Sequence, residues 1–308
     1  MNFNRQYRVL AGVPGTVGFE IGEEVNGRAL HVTFDLEKTD TQSSNTGKLS
    51  IFNLNEEHKA VLNEPGCVVE LRAGYADNMG TIFVGGVSNP TETIQNADRV
   101  IEMELIDGLS NYFQVGSVSQ SGIVTCKEAL DNIVGQMGVE SFVITDAANE
   151  LLEKASYDAG YCYVGKLKMA LQNICSKAGV TFSLQNGILQ VHVAGEAITL
   201  MAYKLSAETG LISVPKKITI TQTSGSSSGT SPMKSNATSG AGGEKGKSDG
   251  IPGYEVEYFI NGAIGVNDLV QLESKVASGI FRVYKQSIKG DNYGQDWKCV
   301  SQLAEVTV

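Results

Sequence analysis

The sequence predicts an α+β protein, mainly β, in which two antiparallel β-barrels flank a small α/β domain. Apolar and polar residues alternate with the period of a half-buried strand at residues 30–36, and the alternation returns at residues 254–260. Between these stretches, two helical patterns correspond residue by residue at a spacing of 41. These three sequence patterns predict domains at residues 1–114, 115–194 and 195–308.

The first predicted domain combines strands with one short helix. Asn55 is suited to cap a helix over residues 56–62, because its side chain can accept a backbone N–H and two glutamates follow in the first turn. Pro65 and Gly66 end this helix. The other strands of the domain are expected at residues 48–52, 67–75, 81–87 and 99–107.

Two amphipathic helices organise the middle domain. Thr125 and Glu128 form a capping box before the first helix, whose apolar residues recur at helical spacing until Gly138. The second helix repeats that pattern and ends at Gly179. The sequence therefore predicts two helix-strand units.

A β-hairpin closes the middle domain. The Asn186-Gly187 dipeptide favours a two-residue type I′ turn. This turn would place Leu184 opposite Leu189, and Phe182 opposite Val191, on one face of the hairpin.

The third predicted domain contains strands and one long interruption. Residues 221–250 consist largely of Ser, Gly, Thr and Lys, with almost no apolar side chain to bury. Such a segment is typical of a flexible loop. Because strand patterns occur on both sides of it, the loop is expected to interrupt a barrel and not to separate two domains.

One hairpin pattern occurs twice in the chain. Residues 269–272 lead through a turn to residues 279–283, and residues 68–71 lead in the same way to residues 80–84. A turn rich in Gly, Asp or Asn and a closing strand follow each copy. The repeat predicts that the two barrels are related by duplication.

The sequence resembles the baseplate hub proteins of tailed phages and of related contractile injection machines. The resemblance is carried by residues 279–283, 290–292 and 296–297, which read GIFRV, GDN and DW. It extends over most of the chain as the same order of domains. The resemblance implies that both barrels are tail-tube-like and that the protein has a structural role in the virion tail.

The same resemblance implies a set of partners. Hub proteins of this family are trimers whose six barrels join the sixfold tail tube to the threefold central spike, beside other baseplate proteins. DNA would meet the protein only in transit, during ejection, and assembly would take place in the cytoplasm of the host bacterium. Strands near residues 100–105 and 297–300 are expected at barrel edges, in contact with neighbouring subunits.

The charge of the chain is consistent with a channel that releases DNA. The net charge is −10 and the isoelectric point is about 4.9, and phosphate contacts are made mainly by Lys and Arg. We therefore expect carboxylates to outnumber basic groups along the bore. The candidates are Glu70, Glu102, Glu104 and Glu273, each of which could equally be an ordinary solvated strand residue.

The single tryptophan is predicted to be structural. Trp297 begins the last strand, and its ring is expected to fill a barrel core beside Phe281 or Val283. No role in binding is assigned to it.

The residues argue against catalysis. The five cysteines form no Cys-x-x-Cys pair, the three histidines lie on separate elements, and no nucleophile elbow, zinc-binding helix or phosphate loop occurs. No enzyme activity, cofactor or metal is expected, and no run of about 18 apolar residues predicts a membrane span. The alternative functions are a peptidoglycan hydrolase and a carbohydrate-binding tail module.

Overall fold

The computed structural model describes residues 4–22, 29–76, 78–108, 114–139, 141–220 and 250–306. Strands dominate, and four helices occur in the described part, which confirms the predicted mainly β, α+β class. The predicted flexible loop at residues 221–250 falls, apart from Gly250, outside the described residues.

The first group of strands, the N-terminal group, contains seven strands and a helix. These are β1 (Arg5–Gly12), β2 (Phe19–Gly22), β3 (Val32–Thr39), β4 (Thr46–Phe52), α1 (Glu56–Leu62), β5 (Val68–Tyr75), β6 (Asn78–Gln95) and β7 (Asp98–Ile106). As predicted, the Asn55 side chain caps α1 by accepting a hydrogen bond from the His58 backbone N–H. β5, β6 and β7 form an antiparallel meander, and β7 also pairs with β4.

The middle group has its own apolar core. Its elements are β8 (Val115–Gln120), β9 (Val124–Thr125), α2 (Cys126–Met137), β10 (Ser141–Ile144), α3 (Asp146–Lys154), β11 (Ser156–Tyr157), β12 (Tyr161–Lys166), α4 (Leu167–Ala178), β13 (Thr181–Gln185) and β14 (Ile188–His192). The capping box of α2 forms as predicted, and Gly138 and Gly179 end their helices with positive φ, at 64° and 75°. Helix α3, which Thr145 caps, was not predicted.

The last group, the C-terminal group, repeats the pairing order of five strands of the first. It contains β15 (Ala202–Ser206), β16 (Lys216–Ile220), β17 (Ile251–Phe259), β18 (Leu269–Glu273), β19 (Ser278–Asp291) and β20 (Trp297–Glu305). Strands β18, β19 and β20 form an antiparallel meander, and β20 also pairs with β17. The two hairpins in which the sequence showed a repeated pattern are therefore β5–β6 and β18–β19.

One large sheet joins the two outer groups. Its strand order is β16-β17-β20-β19-β3-β4-β7-β6-β5-β1-β2, and β18 pairs with both β15 and β19. Strand β19 makes the junction, because its residues 278–282 pair with β18 and its residues 285–291 pair with β3. A single apolar core, which includes Leu36, Leu71, Val256 and Leu303, extends through both groups.

The pairing differs from two closed barrels with exposed edges. Within the described residues, β16 and β2 each have one partner and the path between them is open, so closed barrels are not found. Residues 100–105 and 297–300 lie in β7 and β20, which have partners on both sides. The prediction that these residues form subunit-facing edges is wrong, because β4 and β17 pair with the edges that were expected to be free.

Candidate functional site

A charged face covers the side of the large sheet that points away from the apolar core. In β3, Phe34 and Leu36 point into the core, whereas Asp35 and Glu37 are exposed, because successive side chains alternate across a strand. The strands that pair in sequence on either side of β3 continue this exposed side, from β16 at one end to β7 at the other. We define the charged face as Asp35, Glu37, Lys48, Glu102, Glu104, Lys216, Glu255, Glu257, Lys285, Lys289 and Lys298.

Opposite charges are paired across neighbouring strands of the charged face. Lys289 Nζ lies 2.8 Å from Asp35 Oδ2, and Lys298 Nζ lies 2.7 Å from Glu257 Oε1. The hydrogen bonds to these carboxylates raise the pKa values of Lys289 and Lys298. A third pair joins Lys285 to Glu37. All three are solvent-accessible, and each contributes at most about 1 kcal/mol to stability, but together they hold the charges in register across the sheet.

The charged face is close to electrical balance. Its six carboxylates and five lysines leave a net charge of −1. Near Gly47, a depression in the surface is lined by Asp35, Glu37, Lys48 and Glu104. Lys289 and Lys298 lie opposite each other, but each is paired with a carboxylate, so this arrangement presents no cluster of unpaired cations that could hold a run of phosphates.

The structure places the four predicted bore carboxylates in three locations. Glu102 and Glu104 lie together on β7, within the charged face. Glu70 lies on β5, where hydrogen bonds from Arg72 and Thr81 lower its pKa. Glu273 lies on β18 and pairs with Lys204 at 2.8 Å. Glu102 and Glu104 are therefore the only two of the four that share a strand.

Trp297 lies at the junction of the two outer groups. Trp297 is 3% exposed, and its ring packs edge-on against the Phe34 ring, with 5.5 Å between the ring centroids. Its Nε1–H donates a hydrogen bond to the Gly74 carbonyl oxygen, with 3.2 Å between nitrogen and oxygen. Phe281 and Val283, the neighbours expected from the sequence, are buried opposite Glu305 and Leu303. The register of β19 and β20 puts them at the other end of the strand from Trp297.

Sequence reasoning missed a buried polar cluster formed by Asp40, His192, Asn267 and Arg282. Asp40 Oδ1 lies 2.9 Å from His192 Nε2, its Oδ2 accepts a hydrogen bond from Arg282, and Asn267 Oδ1 accepts another from the same guanidinium. His192 and Arg282 are both fully buried. The cluster thus connects β14 of the middle group to β19. The sequence feature that could have revealed this cluster was Arg282, a charged residue between Ile280 and Tyr284 on one face of a strand.

Asp40 is the one carboxylate of this cluster, and both His192 and Arg282 contact it. Burial raises the pKa of Asp40, but the hydrogen bond from His192 and the charge of Arg282 outweigh it, so that the pKa lies well below its usual value. His192 Nδ1 lies 2.9 Å from the Val193 carbonyl oxygen, which only accepts hydrogen bonds. His192 Nε2 faces the Asp40 carboxylate and also lies 3.4 Å from the amide nitrogen of Asn267. The cluster holds the middle group in place and is not arranged around an open cleft.

Neither a metal site nor a membrane-spanning helix is present in the described ranges. In this part of the chain, no three His, Cys, Asp or Glu side chains are grouped so that they could hold a metal ion. Asp291, in the Gly/Asp/Asn-rich turn, accepts hydrogen bonds from the backbone N–H groups of Tyr293 and Gly294. No helix among the described residues is long and apolar enough to cross a membrane.

Comparison with known proteins identifies the fold. No protein-family model and no curated protein matches the sequence. The structure is similar to the 43 kDa tail protein of prophage MuSo2 from Shewanella oneidensis, with a TM-score of 0.56, 11% identity, and coverage of 97% of this chain and 98% of that one. A tail protein from Neisseria meningitidis MC58 gives a TM-score of 0.56 at 12% identity, covering 97% and 96%.

A third similar structure comes from a secretion system. The c3393 protein of E. coli, a component of the type VI secretion system, has a TM-score of 0.53 at 9% identity, covering 92% of this chain and 76% of that one. The resemblance inferred from the sequence is thus confirmed at the level of the fold, which is that of phage tail proteins and of a related secretion-system component.

Proposed function

We propose that the protein is a structural baseplate hub: a trimer that joins the sixfold end of a tail tube to a threefold central spike and lets DNA pass. The observation that carries this proposal is the repeated strand order of the two outer groups within one continuous sheet. Two similar units per chain make six units per trimer, and six units match a hexameric tube while three chains match a spike. The tail-protein fold supports the same role.

The charged face is the surface proposed to line the bore. Paired lysines and carboxylates keep it hydrated while leaving little net attraction for a phosphate backbone. Glu102 and Glu104 supply its unneutralised negative charge. A duplex or an extended cargo could therefore slide along this wall without being retained.

The first test is the mass of the assembly. The purified chain, mixed with the tube and spike proteins of its own particle, is expected to form a species three times the 32.8 kDa chain mass, or complexes that contain that trimer. Mass photometry measures this directly. A chain that stays monomeric with both partners present contradicts the proposal, and so does clearing of a peptidoglycan suspension by the chain alone.

The second test addresses the bore. The double variant Glu102→Lys/Glu104→Lys changes the net charge of the charged face from −1 to +3 and is expected to make the trimer bind DNA in a salt-dependent manner. Glu150→Lys/Glu153→Lys is a matched control, because it makes the same charge change on exposed positions of α3. Equal DNA binding by the two variants would show that the charged face does not line the channel.

A further inference from the structure

The middle group meets the outer groups through polar side chains and not through a shared apolar core. Among the described residues, the core of the middle group and the core that extends through both outer groups have no member in common. Hydrogen bonds join them at the buried Asp40 cluster and at the turn between β13 and β14. We define the polar seam as Asp40, His192, Asn267 and Arg282 together with Asn45, Asp107, Asn186 and Gly187.

Asp107 holds the turn between β13 and β14. Its carboxylate accepts hydrogen bonds from the backbone N–H groups of Asn186 and Gly187, at 2.7 Å and 2.9 Å, and from the Asn45 amide at 3.3 Å. Burial raises the pKa of Asp107 and outweighs these hydrogen bonds, which lower it. The ionised carboxylate is therefore less stable in the polar seam than in water.

The polar seam also contains buried atoms without partners. Arg282 Nε, Arg282 Nη2 and Asn186 Oδ1 have no hydrogen-bond partner among the described residues. Buried polar groups are nearly always hydrogen-bonded, because an unpaired group has lost its hydration without compensation. Opening the polar seam would return these atoms to water and offset part of the hydrogen bonding that opening breaks. Opening therefore costs less free energy than unfolding either apolar core.

The connection that leaves the middle group changes sides at one residue. The Glu196 carboxylate accepts a hydrogen bond from Thr145 Oγ1 at 2.6 Å, so Glu196 belongs to the middle group. The Ile198 N–H donates to the Asn267 carbonyl oxygen at 3.0 Å, so Ile198 belongs to the outer groups. Ala197 is the residue between them.

The connection that enters the middle group has its own boundary. The Asp107 N–H donates to the Asn45 carbonyl oxygen in the outer groups, and the Gln114 carbonyl oxygen accepts from the Leu167 N–H in the middle group. Gly108, directly after Asp107, has a φ of 66°, where glycine meets no steric penalty. Hinges are a few residues at the ends of elements that absorb changes in φ and ψ. Gly108 and Ala197 are placed to act in this way.

We infer that the middle group is a hinged unit that swings away from the outer groups about Gly108 and Ala197, opening the polar seam while both apolar cores stay folded. Domains of one chain move relative to each other unless their interface is large and hydrophobic. Because water can replace the hydrogen bonds of the polar seam, the open form is a minor state in equilibrium with the closed structure. The inference does not depend on the proposed hub function, and the two can fail separately.

Native-state hydrogen exchange of the full chain tests the opening. The reporter amides are those of Asn186 and Gly187, which lose their Asp107 partner when the polar seam opens. The reference amide is that of Ile174, a fully buried residue in α4, which exchanges only when the middle group unfolds. After correction for intrinsic rates, we expect the reporter amides to exchange at least about 100-fold faster than the reference amide. Equal corrected rates would overturn the inference.

A cross-link separates movement of the whole middle group from fraying of the β13–β14 turn. Gln172 Nε2 of α4 lies 3.1 Å from Gln42 Oε1 of the outer groups, and neither residue belongs to that turn. In a Cys162→Ser background, which removes the exposed native thiol, Gln42→Cys/Gln172→Cys is joined with a short bismaleimide. We expect the reporter amides to exchange about tenfold more slowly or less.

The matched control is the same variant treated with N-ethylmaleimide, which modifies both thiols without joining them. The reporter amides are expected to exchange in this control as in the unmodified protein. Equal exchange of the reporter amides after the two treatments would show that they are released by the turn alone and would overturn the inference.

A truncation elsewhere in the interface provides a second measurement without a cross-link. Gln190 Oε1 accepts a hydrogen bond from Asn267 Nδ2 at 3.0 Å, and Gln190→Ala removes it. We expect about tenfold faster exchange of the reporter amides and an unchanged reference amide. Ile133→Val, which shortens a buried core residue of α2, is the control and is expected to speed only the reference amide. Equal acceleration of reporter and reference amides by Gln190→Ala would contradict a separate opening.

Discussion

Replacing Trp297 tests how strongly the two outer groups depend on each other. The ring is 3% exposed, it packs edge-on against Phe34, and its Nε1–H bonds the Gly74 carbonyl oxygen in the other group. Truncating a buried Trp to Ala costs about 3–5 kcal/mol from lost burial and the cavity that remains. Leaving the Gly74 carbonyl oxygen without its donor adds about 1 kcal/mol. We therefore expect Trp297→Ala to lose about 4–6 kcal/mol of unfolding free energy.

Urea unfolding followed by circular dichroism measures this loss, because the variant lacks the only tryptophan and its fluorescence. Trp297→Phe keeps most of the apolar volume and removes the N–H donor, so a loss of about 1–2 kcal/mol is expected. Leu200→Ala is the exposed control, at 99% exposure, and is expected to lose less than about 1 kcal/mol. A Trp297→Ala protein within about 1 kcal/mol of the wild type would refute the reasoning.

Three further outcomes are expected from urea unfolding. Asp40→Ala should lose about 3–5 kcal/mol, because it leaves the buried charge of Arg282 without its carboxylate and removes the partner of His192 Nε2; a loss below about 1 kcal/mol would contradict this. The pKa of Asp40 is lower in the folded state than in the unfolded state, where it is near 4, so the stability that Asp40 contributes is present above about pH 4 and is lost as the pH falls below that value. Asp40→Asn should therefore flatten the dependence of unfolding free energy on pH in acid. An unchanged slope of unfolding free energy against pH between about pH 5 and 3 would oppose this prediction. Gly290→Ala should lose about 1–3 kcal/mol, because the new Cβ would lie 2.1 Å from Phe34 Cζ; an unchanged midpoint would show that the ring moves freely.

The sequence by itself determined the local structure of several elements. Alternation at residues 30–36 predicted β3, and the capping box and terminal glycine predicted α2 with its left-handed end. The Asn186-Gly187 turn predicted the hairpin register, in which Leu184 lies opposite Leu189. These features follow from periodicity, capping and turn chemistry, which act over a few residues and are therefore readable in one stretch of chain.

Only the tertiary structure decided which distant strands meet. The pairing of β3 with β19 joins residues about 250 positions apart, and it fixes the charged face and the open path of the large sheet among the described strands. The Asp40 cluster and the neighbours of Trp297 depend on the same junction. The alternation of apolar and polar residues shows which side of a strand faces the core. It does not show which strand lies beside it, because the backbone hydrogen-bonding groups at a strand edge are the same for every partner.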